Sequence, residues 1–377
     1  MSTCNKLPAV LLVVCAALAQ DAPLDSRSSV RVQFPPDAPV AVVSADWGES
    51  RASARGSAMI LDLHTALSLR NSGSRGIRGV TLLVLAQEVT PGGRASVSVP
   101  SLNVGPGETF PVRIDLRLLR PLLVGGGPVA QVSLDGVLFD DLSFYGPNRL
   151  NSRRSMTVWE LEARRDRGYL RSVFASRGAE GLKAEVLSIM ARFSDRPRLD
   201  VQLARGGRST NTGEREVQFA FLRMPESPVE PTSGLVRVAG SEARAPSVEV
   251  LNRSNRAVRY FEIGWLVQDP EGHEFLAGSV PASDPGLSLA PGARSRLSQP
   301  ASLRFSAFPG RPFSIAGMTG FVSQVEFADG SIWIPSRAAL GDPRLSRALA
   351  PSAEEQRLVE LYRRKGLAAL VAELKKF

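Results

Sequence analysis

The amino-acid sequence predicts a mainly β protein: two antiparallel β-sandwich domains, an inter-domain helical segment and a C-terminal helical segment. Three observations favour this fold class. Short apolar runs alternate with polar residues, and Gly, Pro, Asn or Asp punctuate them about every 8 to 15 residues. One strand–turn–strand pattern recurs later in the chain, which indicates a duplicated domain. Two other stretches show apolar residues at helical spacing.

The first sandwich domain is expected over residues 30–147, after a polar and flexible leader at 20–29. Its alternating or compact apolar runs predict about seven strands. These runs are residues 30–34, 40–44, 58–69 (long enough for two strands), 80–85, 95–99, 110–116 and 129–134. Alternation places one face of each strand in a core.

The helical segment at residues 148–196 has a different pattern. Its apolar residues recur three or four positions apart and predict two consecutive amphipathic helices, interrupted by Gly178 and Gly181. Ser155 is the expected N-cap of the first helix. The apolar positions are Trp159, Ala163, Leu170, Val173 and Phe174, followed by Leu182, Val186, Met190 and Phe193.

The remaining chain is expected to contain a β-hairpin and a Pro-rich linker (residues 197–234), a second sandwich domain (235–340) and a C-terminal helical segment (341–377). Three prolines within residues 224–234 predict the linker. Ser352 and Glu355 have the spacing of a capping box, which predicts a helix start. Gly366 is expected to divide this last helix in two.

An internal repeat relates the two sandwich domains. Residues 67–84 align without a gap to residues 248–265, and three positions shared by the copies are Asn71 with Asn252, Arg75 with Arg256, and Arg78 with Arg259. Both copies later contain a Pro-Gly turn and an Asp-Gly turn. We expect each asparagine to follow a strand, to adopt a left-handed conformation and to hydrogen-bond its own backbone.

The second copy resembles exported bacterial immunoglobulin-like or fibronectin-type-III-like modules. The resemblance rests on a V-x-V-x-N-x-S strand, an apolar strand and a D-x-x-G turn, and it extends more weakly to the first domain. It implies an immunoglobulin-like sandwich fold and an envelope or extracellular setting, and it transfers no catalytic residue. The motif positions are Val248, Val250, Asn252, Ser254, Phe261, Ile263, Trp265, Val267, Asp269 and Gly272.

The N-terminal residues 1–19 are typical of a cleavable signal peptide. Lys6 precedes a short apolar run that ends in the small-x-small sequence 17–19. The alternative is an uncleaved anchor or a buried helix, although the run is shorter than the ~20 residues of a membrane span. Cys4 and Cys15 are the only cysteines, and Val14 before Cys15 does not fit a lipidation site. We therefore expect an exported protein without disulfides, periplasmic or extracellular.

The chain is basic, with 46 Lys and Arg against 37 Asp and Glu and a net charge of +9. Its arginines are interleaved with acids rather than clustered with aromatics, which argues against a nucleic-acid partner. The densest arginines are the candidate contact surface for an envelope protein or an anionic envelope polymer. The candidate binding residues are Arg153, Arg154, Arg164, Arg165, Arg167 and Trp47. Alternatively, the arginines form a solvated face paired with neighbouring acids, and Trp47 closes the end of the sandwich.

The sequence contains no recognisable catalytic or cofactor motif. His64 and His273 are the only histidines, and there is no HExxH, G-x-S-x-G or P-loop pattern. We expect no cofactor, no metal and no catalytic residue. The function predicted is non-catalytic binding or scaffolding in the bacterial cell envelope. The alternative is a small-ligand receptor or hydrolase with a site between the two domains.

Overall fold

The computed structural model describes residues 22–23, 29–88, 91–121, 129–194, 199–204, 213–281, 286–298, 302–307 and 311–377. The predicted signal peptide, both cysteines and most of the predicted leader lie outside these residues. The chain divides into two compact units, Met1–Arg153 (unit 1) and Arg154–Phe377 (unit 2). Both are built mainly from antiparallel sheets, which confirms the predicted mainly β class.

Unit 1 contains ten described strands in two five-stranded sheets. Sheet I has the order β1-β4-β5-β3, with β8 also paired to β5; sheet II has the order β10-β9-β6-β7, with β2 paired in parallel to β9. The strands are β1 Ala22–Pro23, β2 Val30–Gln33, β3 Val40–Asp46, β4 Arg51–Arg55, β5 Ala58–Asn71, β6 Ile77–Leu85, β7 Arg94–Val99, β8 Thr109–Pro121, β9 Ala130–Phe139 and β10 Phe144–Tyr145.

The core of unit 1 lies between sheets I and II. Strand β5 buries alternate residues such as Leu61, Leu63 and Leu67, which meet Val80 and Leu82 of β6. The expectation that residues 58–69 hold two strands was wrong. They form the single strand β5, because β8 pairs with it continuously from Ala58 to Arg70 and leaves no room for a turn.

Unit 2 contains twelve described strands. Sheet III has the order β11-β19-β15-β14-β12, with β18 on β15 and β20 on β19; sheet IV has the order β13-β21-β16-β17, with β22 on β21. The strands are β11 Leu199–Ala204, β12 Arg215–Gln218, β13 Ala220–Phe221, β14 Val229–Ala239, β15 Glu242–Asn252, β16 Val258–Gln268, β17 Glu274–Pro281, β18 Arg294–Ser298, β19 Ser302–Ala307, β20 Arg311–Pro312, β21 Gly317–Phe327 and β22 Ile332–Trp333. Buried residues of both sheets form one core.

The predicted hairpin and linker at residues 197–234 were wrong. Strand β11 pairs with β19, and β12 pairs with β14, so β11 and β12 are not partners. Within the predicted linker, Val229 is fully buried and begins β14. A register shift at Pro231 accommodates a residue that lacks an N–H donor. The sandwich of unit 2 therefore begins before residue 235.

Helix α1 (Ser152–Ser194) follows the first sandwich and changes direction at Gly178, where φ is 66° and ψ is −162°. This break confirms the two consecutive helices. The expected cap at Ser155 was wrong, since the helix begins at Ser152. The Ser152 hydroxyl instead donates to the buried carboxylate of Asp135. That carboxylate also accepts a hydrogen bond from the Arg149 amide. The Asp135 side chain therefore fixes the segment that precedes the helix.

A 3₁₀ turn (Ala339–Gly341) and helix α2 (Pro343–Ala348) lead into the C-terminal helix α3 (Ala353–Leu374). The predicted capping box is confirmed, because Ser352 and Glu355 exchange side-chain and backbone hydrogen bonds. The predicted break is confirmed at Gly366, with φ of 77°. None of the helices in the described residues is both long enough and apolar enough to cross a membrane.

The aligned asparagines occupy matching positions in the two units. Asn71 ends β5 and Asn252 ends β15, and each is fully buried. In both, Nδ2 donates to the carbonyl four residues later at 2.8 Å, and Oδ1 accepts the amide two residues later at 3.0 Å. Neither has the expected left-handed conformation. The side chains replace the backbone bonds that the turns lack.

The aligned arginines after these turns also match. The Arg75 guanidinium lies 3.8 Å above the Phe139 ring, and the Arg256 guanidinium lies 3.7 Å above the Phe327 ring. Each also pairs with the aspartate two residues after that ring. These equivalent contacts support the inference of a duplication.

The similarity continues into the helices, which the sequence comparison had left out. Helices α1 and α3 each bend at a glycine with positive φ. When the chain is aligned so that Gly178 matches Gly366, three pairs of buried residues also match. All six residues belong to one apolar cluster between the helices. The pairs are Leu170 with Leu358, Leu182 with Leu370, and Val186 with Leu374. Each sandwich is thus followed by a bent helix of related sequence.

Candidate functional site

Two of the predicted binding residues lie in unit 1. The Trp47 side chain is half-buried and packs against the core of the first sandwich. Its carbonyl accepts hydrogen bonds from the amide and hydroxyl of Ser50. Arg153 is half-buried at the start of α1, where its amide donates to the Asn148 side chain. The position of Trp47 agrees with the alternative in which it closes the sandwich end.

Arg154 attaches the first turn of α1 to sheet IV. Its Nε donates to Glu326 Oε2 at 2.6 Å, and its guanidinium lies 3.5 Å above the Tyr260 ring. The Glu326 carboxylate is buried and also bonds Arg259. Burial, followed by a hydrogen bond to Glu262, raises the pKa of Tyr260. Arg154 therefore has an internal partner and does not present a free charge.

The other three predicted arginines form an ionic network with α3. Arg167 is 2% exposed and donates to Glu160 Oε1 at 3.1 Å and to Glu354 Oε1 at 3.2 Å. Arg164 is more exposed and donates to the same Glu160 oxygen at 2.8 Å. Arg165 forms a two-pronged pair with Asp166. Arg167 is buried and therefore does not belong to an exposed contact surface. Arg165 is engaged by Asp166, as the alternative of arginines paired with neighbouring acids predicts.

Helix α3 adds acidic and basic side chains to this network. Its first-turn residue Glu354 is 1% exposed and accepts two hydrogen bonds from Arg357 in addition to that from Arg167. Arg357 also donates to Glu373 at 2.7 Å. The Arg167 guanidinium lies 3.9 Å from the ring centre of the C-terminal Phe377. Charged groups thus bind the two bent helices together alongside their apolar cluster.

A cavity of about 730 Å³ lies beside this network within unit 2. We call it the helix–sheet cavity: α1 forms one wall, strands β16, β17 and β21 form another, and residues 335–355 form a third. Its apolar lining includes Leu276, Phe321, Leu340 and Leu349. Gly264 also lines it, and only glycine fits there because a Cβ atom would lie 2.4 Å from the Phe321 ring.

The polar lining contains three arginines and three glutamates. Two of these arginines are strongly paired: Arg165 with Asp166 at 2.9 Å, and Arg337 with Glu355 at 2.8 Å. Arg165 also donates to the Pro335 carbonyl. The lining charges are Arg165, Arg192, Arg337, Glu162, Glu185 and Glu355. A cavity with an apolar base and a few charged groups is the usual form of a small-ligand site.

Tyr169 and Glu185 extend this wall. The Arg337 guanidinium lies 4.4 Å from the centre of the Tyr169 ring. Burial and a hydrogen bond to Glu185 raise the pKa of the Tyr169 hydroxyl. Glu185 also pairs with Arg177 at 3.3 Å. Tyr169 therefore remains a neutral donor at physiological pH, and Glu185 is already engaged.

Glu162 and Arg192 differ from the other charged residues of the cavity. Among the described residues, Glu162 has no hydrogen bond or ion pair with another side chain. Burial is the main cause that raises its pKa; Arg165 opposes the shift, and Asp166 and Glu355 add to it. Arg192 is 30% exposed, and its described ion pair with Glu355 is 3.8 Å long.

The histidines lie elsewhere. His64 Nδ1 is 3.1 Å from Asp115 Oδ1 on an exposed face of sheet I. Among the described residues, the Ser50 hydroxyl bonds only backbone groups of Trp47 and His64, so Ser50, His64 and Asp115 do not form a catalytic triad. His273, Asp269 and Glu271 are the described residues close enough to share a metal. They lie on a turn where His273 already pairs with Asp269 at 3.0 Å.

Sequence reasoning did not find the helix–sheet cavity. Its charged residues come from two parts of α1 and from residues 335–355, and no motif links these segments. The visible signal was Glu162, which lies among arginines on a predicted helix. From the sequence alone it is one of the neighbouring acids that can pair with those arginines.

Comparisons with known proteins do not assign the chain to a family. No protein-family model matches the chain, and no curated protein matches it. Among solved structures it is similar to red sea bream transglutaminase (9% identity over 79% of this chain and 31% of that chain, TM-score 0.12). It is also similar to a β-glucosidase from Kluyveromyces marxianus (9% identity over 71% of this chain and 45% of that chain, TM-score 0.14). A third similar structure is allantoicase (10% identity over 75% of this chain and 82% of that chain, TM-score 0.08). The chain spans less than half the length of the first two, and at these TM-scores the likenesses carry no argument.

Proposed function

We propose that this protein is a non-catalytic binding protein of the bacterial cell envelope that holds a small organic ligand in the helix–sheet cavity. The observation that carries the proposal is the cavity itself. Its volume of about 730 Å³ falls within the range of sites that enclose small ligands, roughly 300–1,000 Å³. Its lining combines apolar side chains with a small set of charged groups, as such sites require.

The placement of the arginines favours a small ligand over an acidic protein partner. Arg165 and Arg167 are the centre of the cluster expected to contact such a partner, yet both are engaged by carboxylates of unit 2. A partner would have to break these buried pairs, and breaking one typically costs 3–5 kcal/mol. The cavity, in contrast, presents charged groups without that cost.

A binding role is favoured over hydrolysis by the chemistry of the lining. Neither histidine lies among the lining residues. Glu185 and Glu355 are held by arginines, and a carboxylate held in an ion pair is a poor proton acceptor. Glu162, whose pKa is raised, has neither a histidine nor a second unpaired carboxylate with it in the described lining. Envelope placement is supported by the signal-peptide pattern at residues 1–19 and by the resemblance to exported sandwich modules.

The test is retention of a ligand by the protein from residue 20 onward. The purified protein is incubated with the low-molecular-mass fraction of an envelope extract from the cells that make it. Gel filtration removes unbound molecules, and native mass spectrometry then detects any added mass. Ala338→Trp narrows the cavity from an exposed position on its wall. Ala368→Trp adds the same bulk at an exposed position on α3 that does not line the cavity.

We expect the wild type and Ala368→Trp to retain the same added mass and Ala338→Trp to lose it. Retention by all three proteins would place the ligand elsewhere. If no protein retains any mass while a specific envelope protein co-purifies with the wild type, the scaffolding interpretation replaces this one. Turnover of the retained molecule would contradict the non-catalytic role.

A further inference from the structure

Most of the charged side chains that line the helix–sheet cavity are paired with a side chain of opposite charge. Asp166 neutralises Arg165, and Glu355 neutralises Arg337, both in ion pairs shorter than 3 Å. Glu185 is matched by Arg177 outside the lining. What remains is one carboxylate, that of Glu162, and one guanidinium, that of Arg192. They have opposite signs, line the same cavity and are not paired with each other.

Arg192 can leave its present contact at little cost. The distance of 3.8 Å to Glu355 is beyond hydrogen-bond length, and Glu355 retains Arg337 at 2.8 Å. Arg192 lies in the last turn of α1, and its side chain is 30% exposed. A ligand carboxylate can therefore accept from this guanidinium without leaving a buried acid uncompensated.

Glu162 is suited to a cationic group. It lies three residues before Arg165 on α1, but that guanidinium is committed to Asp166. Partial burial favours its neutral form, and a ligand that supplies an ammonium would pair with its carboxylate and favour the charged form. The side chains of Leu276, Phe321 and Leu349 line the same cavity and offer an apolar surface.

Resting on the proposed function, we infer that the ligand is a zwitterion, an apolar amino acid or short peptide. Its ammonium pairs with Glu162, its carboxylate pairs with Arg192, and its side chains contact the apolar lining. Such a ligand leaves the net charge of the cavity unchanged. It also satisfies the two groups that the protein itself leaves poorly paired.

Proton binding at Glu162 adds a second expectation. The charged groups that act on its carboxyl group are Arg165, Asp166 and Glu355, and burial is the largest influence. Because its pKa is raised, Glu162 is ionised later than an ordinary glutamate as the pH increases. A peptide ammonium stays protonated to about pH 7.7. Affinity for a zwitterion should therefore rise as the pH increases from the ordinary glutamate range through that raised pKa, as long as the ammonium keeps its proton.

The test is isothermal titration of the protein with the dipeptide Leu-Leu and two blocked forms. N-acetyl-Leu-Leu lacks the ammonium, and Leu-Leu amide lacks the carboxylate. We expect Leu-Leu to bind and each block to weaken binding about tenfold or more, the loss of one charged hydrogen bond. Glu162→Gln should bind Leu-Leu and its acetylated form equally and lose the pH dependence. Arg192→Gln should bind Leu-Leu and its amide equally. Glu180→Gln is the control, since Glu180 is exposed and outside the lining.

Equal affinity of the wild type for Leu-Leu and both blocked forms would overturn the inference, and so would failure of all three to bind. The extract experiment separates this failure from that of the proposed function. If an envelope molecule is retained by the wild type and lost in Ala338→Trp while no dipeptide binds, the cavity holds a ligand of another class. If neither binds, both proposals fall.

Discussion

Arg167→Met tests whether the buried ion pairs of Arg167 on helix α1 stabilise unit 2. The Arg167 guanidinium is 2% exposed and bonds Glu160 and Glu354, which are themselves buried. Removing one partner of a buried ion pair typically costs 3–5 kcal/mol, because the remaining charge is left uncompensated. Arg164 and Arg357 still neutralise part of that charge. We therefore expect the free energy of unfolding of unit 2 to fall by about 3 kcal/mol, the lower end of the range.

Urea unfolding followed by tryptophan fluorescence measures this loss. Three of the four tryptophans, Trp159, Trp265 and Trp333, lie in unit 2, so its transition dominates the signal. For a unit of this size, 3 kcal/mol corresponds to a fall of about 6–12 °C in Tm. A chain with two units need not unfold in one step, so the two transitions are fitted separately.

Arg164→Met is the matched control for this prediction. Arg164 bonds the same Glu160 oxygen from a more exposed position one turn along the helix. Exposed pairs at this spacing contribute about 0.3–0.5 kcal/mol, so the control should be almost as stable as the wild type. If Arg167→Met also lies within about 0.5 kcal/mol of the wild type, the buried network contributes little and the reasoning is refuted.

Three further outcomes follow. Asn252→Ala should destabilise unit 2 by about 2–3 kcal/mol in the same urea assay, because it leaves buried backbone carbonyls without a donor, and a loss below 0.5 kcal/mol would be inconsistent with that role. Gly178→Ala should lower the free energy of unfolding by about 1–3 kcal/mol, because the φ and ψ of Gly178 suit only glycine. Gly168→Ala, in the regular part of the helix, should raise it by about 0.5–1 kcal/mol. Equal changes in Tm for the two variants would argue against the bend at Gly178. The raised pKa of Glu162 means that the native state keeps a proton that the unfolded chain has lost. Stability therefore falls as the pH rises from the ordinary glutamate range through that raised pKa, and Glu162→Gln should show a smaller fall in thermal unfolding between pH 4 and 8.

Local patterns predicted much of the fold. Alternation identified most strands of the first sandwich, because half-buried strands must place apolar residues on one face. The capping box at Ser352 and the breaks at Gly178 and Gly366 were also predicted, since each depends only on neighbouring residues. The asparagines of the repeat were correctly placed at strand ends.

Long-range pairing limited the rest. Residues 224–234 look like a linker because they contain three prolines, yet residues 229–234 belong to strand β14 because β15 pairs with it. The arginines of α1 look like a solvated face until α3 is considered, since Glu354 lies 187 residues after Arg167. The helix–sheet cavity likewise combines residues that are far apart in the chain, from Glu162 to Glu355. No local pattern contains these contacts.

Hydrogen exchange with and without the envelope extract fraction tests the helix–sheet cavity most directly. We expect slower exchange in residues 335–355 and in β21 when the fraction is present, with no change in the sandwich of unit 1. Ala338→Trp should abolish that protection. Protection confined to unit 1, or protection that persists in Ala338→Trp, would contradict the assignment of the binding site to this cavity.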